Sequence, residues 1–325
     1  MSHPLEPQQR TRKYPFVNMR ISDHTILDSI EGRHNCKLCN RSRKFFCYSC
    51  YIPVGELEEV LPRIALPLKI DIIKHKKEID GKSTAVHAAV LAPEHVRIHT
   101  YPDIPDYREE PGVVLIFPSA TALTVPQLFE RNVQLQIGDN YGLPKGHHMG
   151  TMLRRRMDEV EVQEPHAKDQ ESPKKTWNLE NLPIRRAVFI DSTWNQSRGI
   201  YADERIRNLR TVVLQNRLSQ FWRHQRGSPR WYLATIEAVH QFLLEVHINA
   251  WGLSSSYRGL DNLEITEGFH QLAAPLKIET HMEDIDRMSP YNGQYDNLLF
   301  FFANMYDLIH KYYDHNDLIS YRRPI

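Results

Sequence analysis

The sequence has no long apolar run. No stretch reaches the ~20 consecutive apolar residues that a membrane-spanning helix requires, and the polar segment Met1 to Arg20 lacks the apolar core of a secretion signal. We therefore expect a soluble, intracellular protein. The triplet Asn195-Gln196-Ser197, a glycosylation acceptor in form, has no use in that setting. An excess of charge is missing too: 41 Lys and Arg stand against 40 Asp and Glu, for a net charge of +1. Affinity for nucleic acid must then come from local clusters, because overall basicity cannot supply it. No internal repeat is present, and cysteine is absent outside one short window. What remains is ordinary globular material: 41% of the 325 residues are hydrophobic, enough to bury one large core or two smaller ones.

The first ~30 residues carry Pro4, Pro7 and scattered charges without periodicity, as a flexible leader does. A cysteine-rich unit occupies 31–55. Beyond it, Thr84 to Ala92 (TAVHAAVLA) and Gly112 to Phe117 (GVVLIF) are short apolar runs stopped by Pro93 and Pro118, which reads as two buried strands. Ser119 to Arg131 can open a helix from a Ser or Thr cap, with Pro126 restricting it. Residues from about 140 to 180 hold Arg154, Arg155 and Arg156, many Glu and Lys and little apolar material, so a disordered charged insert is expected there. The strongest α/β signal follows: a strand at Ala187–Ile190, a helix at Asp191–Arg207 and a strand at Thr211–Leu214. A further helix begins near Leu233, with Ala238, Phe242 and Val246 on its packing face. Another spans Asn297–Tyr313, with Leu298, Phe301, Met305, Leu308 and Tyr312 as its buried stripe.

The four cysteines stand as C-x2-C-x7-C-x2-C: Cys36, Cys39, Cys47 and Cys50. Two such knuckles bring four thiolates to tetrahedral positions around a soft ion, so we expect a closed structural zinc site with no open ligand position. The alternatives are disulfides, which need an oxidising compartment, or a redox pair. Between the knuckles lie Arg41, Arg43 and Lys44, beside Phe45, Phe46 and Tyr48. Such residues either touch RNA or merely cover a tiny module, and both readings stay open.

Phe189 to Gly199 reads FIDSTWNQSRG. Asp191, at the end of a buried strand and entering a helix, stands where α/β sheets place ligands. Alone, it serves equally well as a helix cap, with Trp194 as core. Three other segments accompany it. Ile116 to Ala122 (IFPSATA) is a strand followed by small hydroxylic residues, which lets backbone N–H groups approach a ligand. Trp222-Arg223-His224-Gln225-Arg226 sets cations and an amide in an irregular loop, and Leu233 to Ala238 (LATIEA) puts Thr235 and Glu237 on the opening turn of an apolar helix.

Taken in this order, the segments resemble the DTW-domain family, also called the TDD group. Its pattern runs strand-D-x-T-W, a basic x-R-x-Q loop, then S-T-x-E-A on a helix; here these are Asp191 to Trp194, Arg223 to Gln225, and Ala234 to Ala238. The upstream Pro118-Ser119-Ala120 and the cysteine knuckles belong to the same pattern, so the likeness spans Cys36 to about Ala250. Ser192 fills the variable position and Ala234 replaces the Ser that often opens the last motif; neither change removes an ionisable group. The long insert and polar leader look more like the eukaryotic branch than the compact bacterial members.

The resemblance implies a SPOUT-like α/β core with a mostly parallel sheet at 56–325, preceded by the small zinc module. The trefoil knot of the SPOUT group is an open question that periodicity does not address. It implies an aminocarboxypropyl transfer from S-adenosylmethionine (SAM) to N3 of a tRNA uridine in the D-loop, with methylthioadenosine released. SAM is expected on the loops after the strands ending at Phe117, Ile190 and Leu214, with the stretch before Ala234 closing over it. Asp191 is the first candidate for general base and Glu237 the second. Arg223 suits the SAM carboxylate, Gln225, Ser119 and Thr235 its amino or ribose groups, with Ala120 and Thr193 on the same loops, and Trp194 the adenine or sulfonium.

The segment Arg198–Arg230 holds eight Arg and two acids, Asp203 and Glu204, which suits either tRNA phosphates or a solvated surface. Arg154 to Arg156 read as a second contact or a nuclear import signal, and a nuclear location is the expectation. Two rival functions remain: a SAM-dependent RNA methyltransferase on the same fold, and a non-catalytic zinc and RNA-binding module.

Overall fold

The computed structural model describes residues 14–130, 177–263 apart from 216 and 226, and 288–323. Of the expected insert at 140–180, residues 140–176, with Arg154 to Arg156, lie outside the described residues. Six strands form the central sheet: β1 (Lys69–Lys74), β2 (Val96–Thr100), β3 (Val113–Ile116), β4 (Leu123–Thr124), β5 (Arg186–Asp191) and β6 (Arg210–Val213). Their order is β2-β1-β5-β3-β6-β4, and every pairing is parallel. The α/β class and the parallel sheet therefore stand. No helix among the described residues is long and apolar enough to cross a membrane.

Strands β3, β5 and β6 lie where their apolar runs predict. Strand β1, with sequence KIDIIK, escapes the pattern because Asp71 interrupts its isoleucines. The carboxylate is tolerated at 2% exposure since it accepts hydrogen bonds from Tyr107 Oη (2.8 Å) and Arg186 Nη1 (3.1 Å). The segment read as a strand at Thr84–Ala92 is instead a helix, α1 (Ala85–Leu91), with all seven residues buried. A short run buried all round shows no periodicity, so strand and helix cannot be told apart by pattern.

The next helix, α2 (Val125–Phe129), opens with Pro126 in its first turn, where its missing N–H costs nothing. The helix expected at 191–207 is shorter, α3 (Trp194–Tyr201). It ends before Asp203, whose side chain takes the Arg205 N–H at 3.0 Å and forms a local turn instead. Longest among the described residues is α4 (Thr235–Trp251), which stops at Gly252 (φ 87°), a conformation that a Cβ would resist. Phe242, wholly buried on α4, meets Phe189 of β5 edge to face at 5.8 Å. Truncating a ring so placed costs ~3–5 kcal/mol.

The last helix, α5 (Phe300–Tyr312), packs through Phe300, Phe301, Phe302, Ala303 and Tyr306. Of the expected stripe, Leu298 and Phe301 are buried, whereas Leu308 and Tyr312 are 42% and 71% exposed, because the final turns run past the core. A second correction concerns the leader. From Tyr14 onward it is packed: Phe16 meets Phe302 and Tyr306 edge to face, and the Arg20 N–H donates to Asp296 Oδ2 at 2.7 Å.

The cysteine module consists of two antiparallel ribbons, His34–Asn35 with Ser42–Arg43 and Phe46–Cys47 with Ile52–Pro53. Each knuckle closes in the same way. Asn40 and Tyr51, just after the second cysteine of each, take left-handed φ (55° and 59°) and donate their N–H groups to the carbonyls of Cys36 and Cys47. Phe46 docks the module on the main core, against His87 of α1 and Phe301 of α5.

Candidate functional site

A cavity of about 990 Å³ opens at the carboxyl ends of β1 and β5, lined by the 78–84 and 190–195 stretches, Arg198 and the 221–235 stretch. Ligands bind at such an edge because the strand ends leave loops free to close around them. Asp191, the last residue of β5, is 7% exposed and lines it. Thr235 Oγ1, from the first turn of α4, donates to Asp191 Oδ1 at 2.5 Å, and Ser83 Oγ donates to Oδ2 at 2.7 Å. Ser83 has one hydroxyl proton; its oxygen also accepts the Ala85 N–H (3.1 Å), which directs that proton onto the carboxylate. Burial pushes the Asp191 carboxyl above the usual carboxylate range, against the pull of the two hydroxyls and of Lys74. Lys74 itself is paired with Asp80.

Trp194, Arg223 and Gln225 line the same cavity, as do Thr193 and Thr235. The Trp194 ring leans on Tyr232 at 4.5 Å, and on Phe117 at 6.2 Å. Arg223 Nη1 donates to the Lys82 carbonyl at 2.7 Å, tying the 221–235 stretch to the loop after β1. Gln225 Oε1 accepts from Arg323 Nη1 at 3.2 Å. Thr193, exposed, stands at the N-cap of α3, and its N–H donates to Gln196 Oε1.

Three predicted residues lie elsewhere. Glu237 is wholly buried and does not line the cavity. Its Oε2 accepts from Ser219 Oγ (2.6 Å) and the Ala234 N–H (2.9 Å), its Oε1 from the Gln220 N–H (2.8 Å), and Arg217 Nη2 stands 3.6 Å away. It thus fastens the stretch before α4 to the start of that helix. Ser119 and Ala120 also stay outside the lining. Ser119 Oγ pairs with Thr211 Oγ1, and Phe117 is spent on packing, its ring stacked on Tyr201 at 4.5 Å.

Sequence reasoning missed Glu78, Lys82, Ser83, Thr84 and Tyr232, all on the cavity lining. Lys82-Ser83-Thr84 directly before an apolar run is a helix-opening signal, hidden here by the strand reading of that run. Thr84 Oγ1 accepts the Ile236 N–H at 3.2 Å and so supplies the cap that Ala234 cannot give to α4.

Away from the cavity, one ligand atom from each of Cys36, Cys39, Cys47 and Cys50 lies within 4.8 Å of all the others. Four converging sulfurs, two of them on buried residues, match a closed four-thiolate metal site. Of the intervening cations, Arg43 is buried with its guanidinium 3.7 Å from the Tyr48 ring centre. The arginine-rich segment divides as well. Arg217 and Arg230 are buried and Arg205 is tied to Asp203, while Arg198 and Arg207 are exposed.

Comparison with known proteins gives this geometry its context. The DTW domain matches residues 44–310. The chain belongs to the DTW-domain family. In this DTW protein the signature is spatially divided: Asp191 supplies the buried carboxylate, Thr193 the cap of α3, and Trp194 an aromatic part of the lining. Curated relatives named tRNA-uridine aminocarboxypropyltransferase 1 are similar along almost the whole length. The one from Mus musculus is 37% identical over 302 residues (91% of this chain, 84% of its own). That from Homo sapiens is 37% identical over 300 residues (91% and 84%), and that from Xenopus tropicalis 35% over 300 residues (90% and 85%). No solved structure matches this DTW-domain chain.

Proposed function

We propose that this chain is a tRNA-uridine aminocarboxypropyltransferase that moves the 3-amino-3-carboxypropyl group of SAM to N3 of a D-loop uridine and releases methylthioadenosine. The observation that carries the reading is the signature aspartate, Asp191, set in the lining of the 990 Å³ cavity with each carboxylate oxygen held by one hydroxyl. That volume is at the upper end for small-molecule sites, which leaves room for a nucleoside-sized donor and an entering base.

In this reading the uridine N3 proton passes to the Asp191 carboxylate. The freed electron pair attacks the γ-carbon of the donor, and the carbon–sulfur pair leaves on sulfur, which changes from sulfonium to neutral thioether. Burial raises the proton affinity of Asp191, which narrows the gap to the weakly acidic N3–H. Attack at the γ-carbon rather than the methyl is a matter of orientation. Arg223 holds the carboxylate end, Gln225 and Thr235 the polar groups, and Trp194 the adenine or the sulfonium, a contact worth ~1 kcal/mol or more when desolvated. Lys82, Arg198 and His224, exposed and on the cavity lining, meet tRNA phosphates at its mouth. Zinc on Cys36, Cys39, Cys47 and Cys50 holds the module that packs on α1 and α5.

The test supplies unmodified tRNA and SAM labelled separately in its methyl or carboxypropyl carbons. Carboxypropyl label should enter the tRNA, and Asp191→Asn should reduce it by ~10²–10⁴-fold while SAM still binds. Methyl label in the tRNA would assign the chain to the methyltransferases, and full turnover by the variant would remove Asp191 as the base.

A further inference from the structure

The cavity is lined by two carboxylates, Glu78 and Asp191, and by three permanent cations, Lys82, Arg198 and Arg223. The two acids differ in how they are held. Asp191 has one hydroxyl donor on each oxygen. Glu78, in the loop after β1, receives no hydrogen bond on its carboxylate from any described residue and forms no ion pair within 4.0 Å, although it is half-buried. Burial and the charge of Asp191 push the Glu78 carboxyl upward, while Lys74, Arg223 and Lys82 pull it down. A half-buried carboxylate with three cations nearby but none of the described residues in contact with it is open to a cationic group from a ligand.

Arg223 is its counterpart. The two side chains sense each other's charge, yet no contact under 4.0 Å joins them. One Arg223 N–H is spent on the Lys82 carbonyl, which steadies the guanidinium against the loop that carries Glu78. A guanidinium has five N–H donors in a fixed fork, so ample capacity remains for a carboxylate. An open pair of opposite charges lining one cavity suits a zwitterion, with the ammonium at the acid and the carboxylate at the arginine.

We propose that Glu78 binds the α-ammonium of the SAM aminocarboxypropyl group while Arg223 binds its carboxylate, so that this pair selects the amino-acid end of the donor. The inference rests on the donor being SAM, as argued above. Its consequence for the reaction is positional. The transferred group is gripped at both charges, whereas the methyl group is gripped by nothing, and the γ-carbon is the one held for attack. Asp191 stays free for the uridine proton, which gives the two carboxylates separate tasks.

Calorimetric titration of the full chain separates the possibilities, with SAM, methylthioadenosine and the SAM analogue lacking the α-amino group as ligands. Glu78→Gln should weaken SAM by at least about tenfold and leave methylthioadenosine within about twofold, since only the first carries the ammonium. Glu78→Asp, which keeps the charge on a shorter arm, should fall between. The wild-type protein should bind the deamino analogue at least about tenfold more weakly than SAM. Equal affinity of the wild type for SAM and the deamino analogue overturns the proposal. So does an equal loss of SAM and methylthioadenosine in Glu78→Gln, because Glu78 would then shape the cavity rather than read the ammonium. A wild-type chain that binds neither SAM nor methylthioadenosine removes the donor reading itself, a result distinct from either.

Discussion

The cysteine module and the cavity are built on opposite plans. The sulfurs of Cys36, Cys39, Cys47 and Cys50 come from one short window and converge to within 4.8 Å. The hydroxyls on Asp191 come from Ser83 and Thr235, 108 and 44 positions away. In the first region the spacing of the chain already brings the donors together, and a metal needs only to close them. In the second the parallel sheet does the bringing: β1 and β5 lie side by side, so the loop after one meets the end of the other. The two regions should therefore fail differently. On the zinc reading one fails with the loss of a sulfur, the other with its buried hydrogen bonds.

The largest expected effect is at the module. Cys47→Ser removes a wholly buried sulfur of the proposed zinc site, and four-thiolate zinc sites supply ~10 kcal/mol of folding energy in isolated peptides. Zinc measured by plasma mass spectrometry should drop from about one per chain to near zero, and amides of 34–54 should lose protection in hydrogen exchange. Protection of α4 should persist if the regions are separable. They meet where Phe46 packs on His87 of α1, which directly follows the cavity residues Ser83 and Thr84, so loss that spreads into 75–84 would show that the module also braces the cavity.

Next comes Glu237→Ala. It leaves the Ser219 hydroxyl and the Gln220 and Ala234 N–H groups without their acceptor and the buried Arg217 without its counter-ion, at a cost of ~3–5 kcal/mol. Urea unfolding should register the loss and SAM binding should fail, while zinc stays stoichiometric. An unchanged unfolding midpoint would mean that this cluster does not fasten the cavity. Ser83→Ala is the mildest. Loss of one hydrogen bond to an anion should lower turnover by roughly tenfold. Removing a donor that favours the ionised form raises the Asp191 pKa further, so the acidic limb of the pH–rate profile should move to higher pH. Ser83→Thr should restore it. A limb that stays in place would reduce Ser83 to a packing role.

Legibility follows the same division. The cysteine spacing, the β3, β5 and β6 strands and the D-S-T-W segment were readable, because each is a pattern of neighbours. Strand β1 was hidden by Asp71, whose acceptability depends on Tyr107 and Arg186 from other parts of the chain. Helix α1 was hidden because burial on all sides erases periodicity. Of the candidate residues, Asp191, Thr193, Trp194, Arg223, Gln225 and Thr235 meet at one cavity, while Ser119 and Ala120 do not, since the ring of Phe117 and the Thr211 hydroxyl occupy that loop.

Glu237 and Glu78 show the limit best. Glu237 stands on the opening turn of an apolar helix and Glu78 just after His75-Lys76-Lys77, yet neither context says which acid faces a ligand. The fold buries Glu237 among donors and sets the Glu78 carboxylate on the cavity lining with no hydrogen-bond donor among the described residues. By itself the sequence determined the family, the α/β class, the four-sulfur site and the aspartate, since these rest on short-range spacing. Only the tertiary structure decided which acids are spent on holding the chain together and which face a ligand, because that depends on donors that the sheet brings in from far along the sequence.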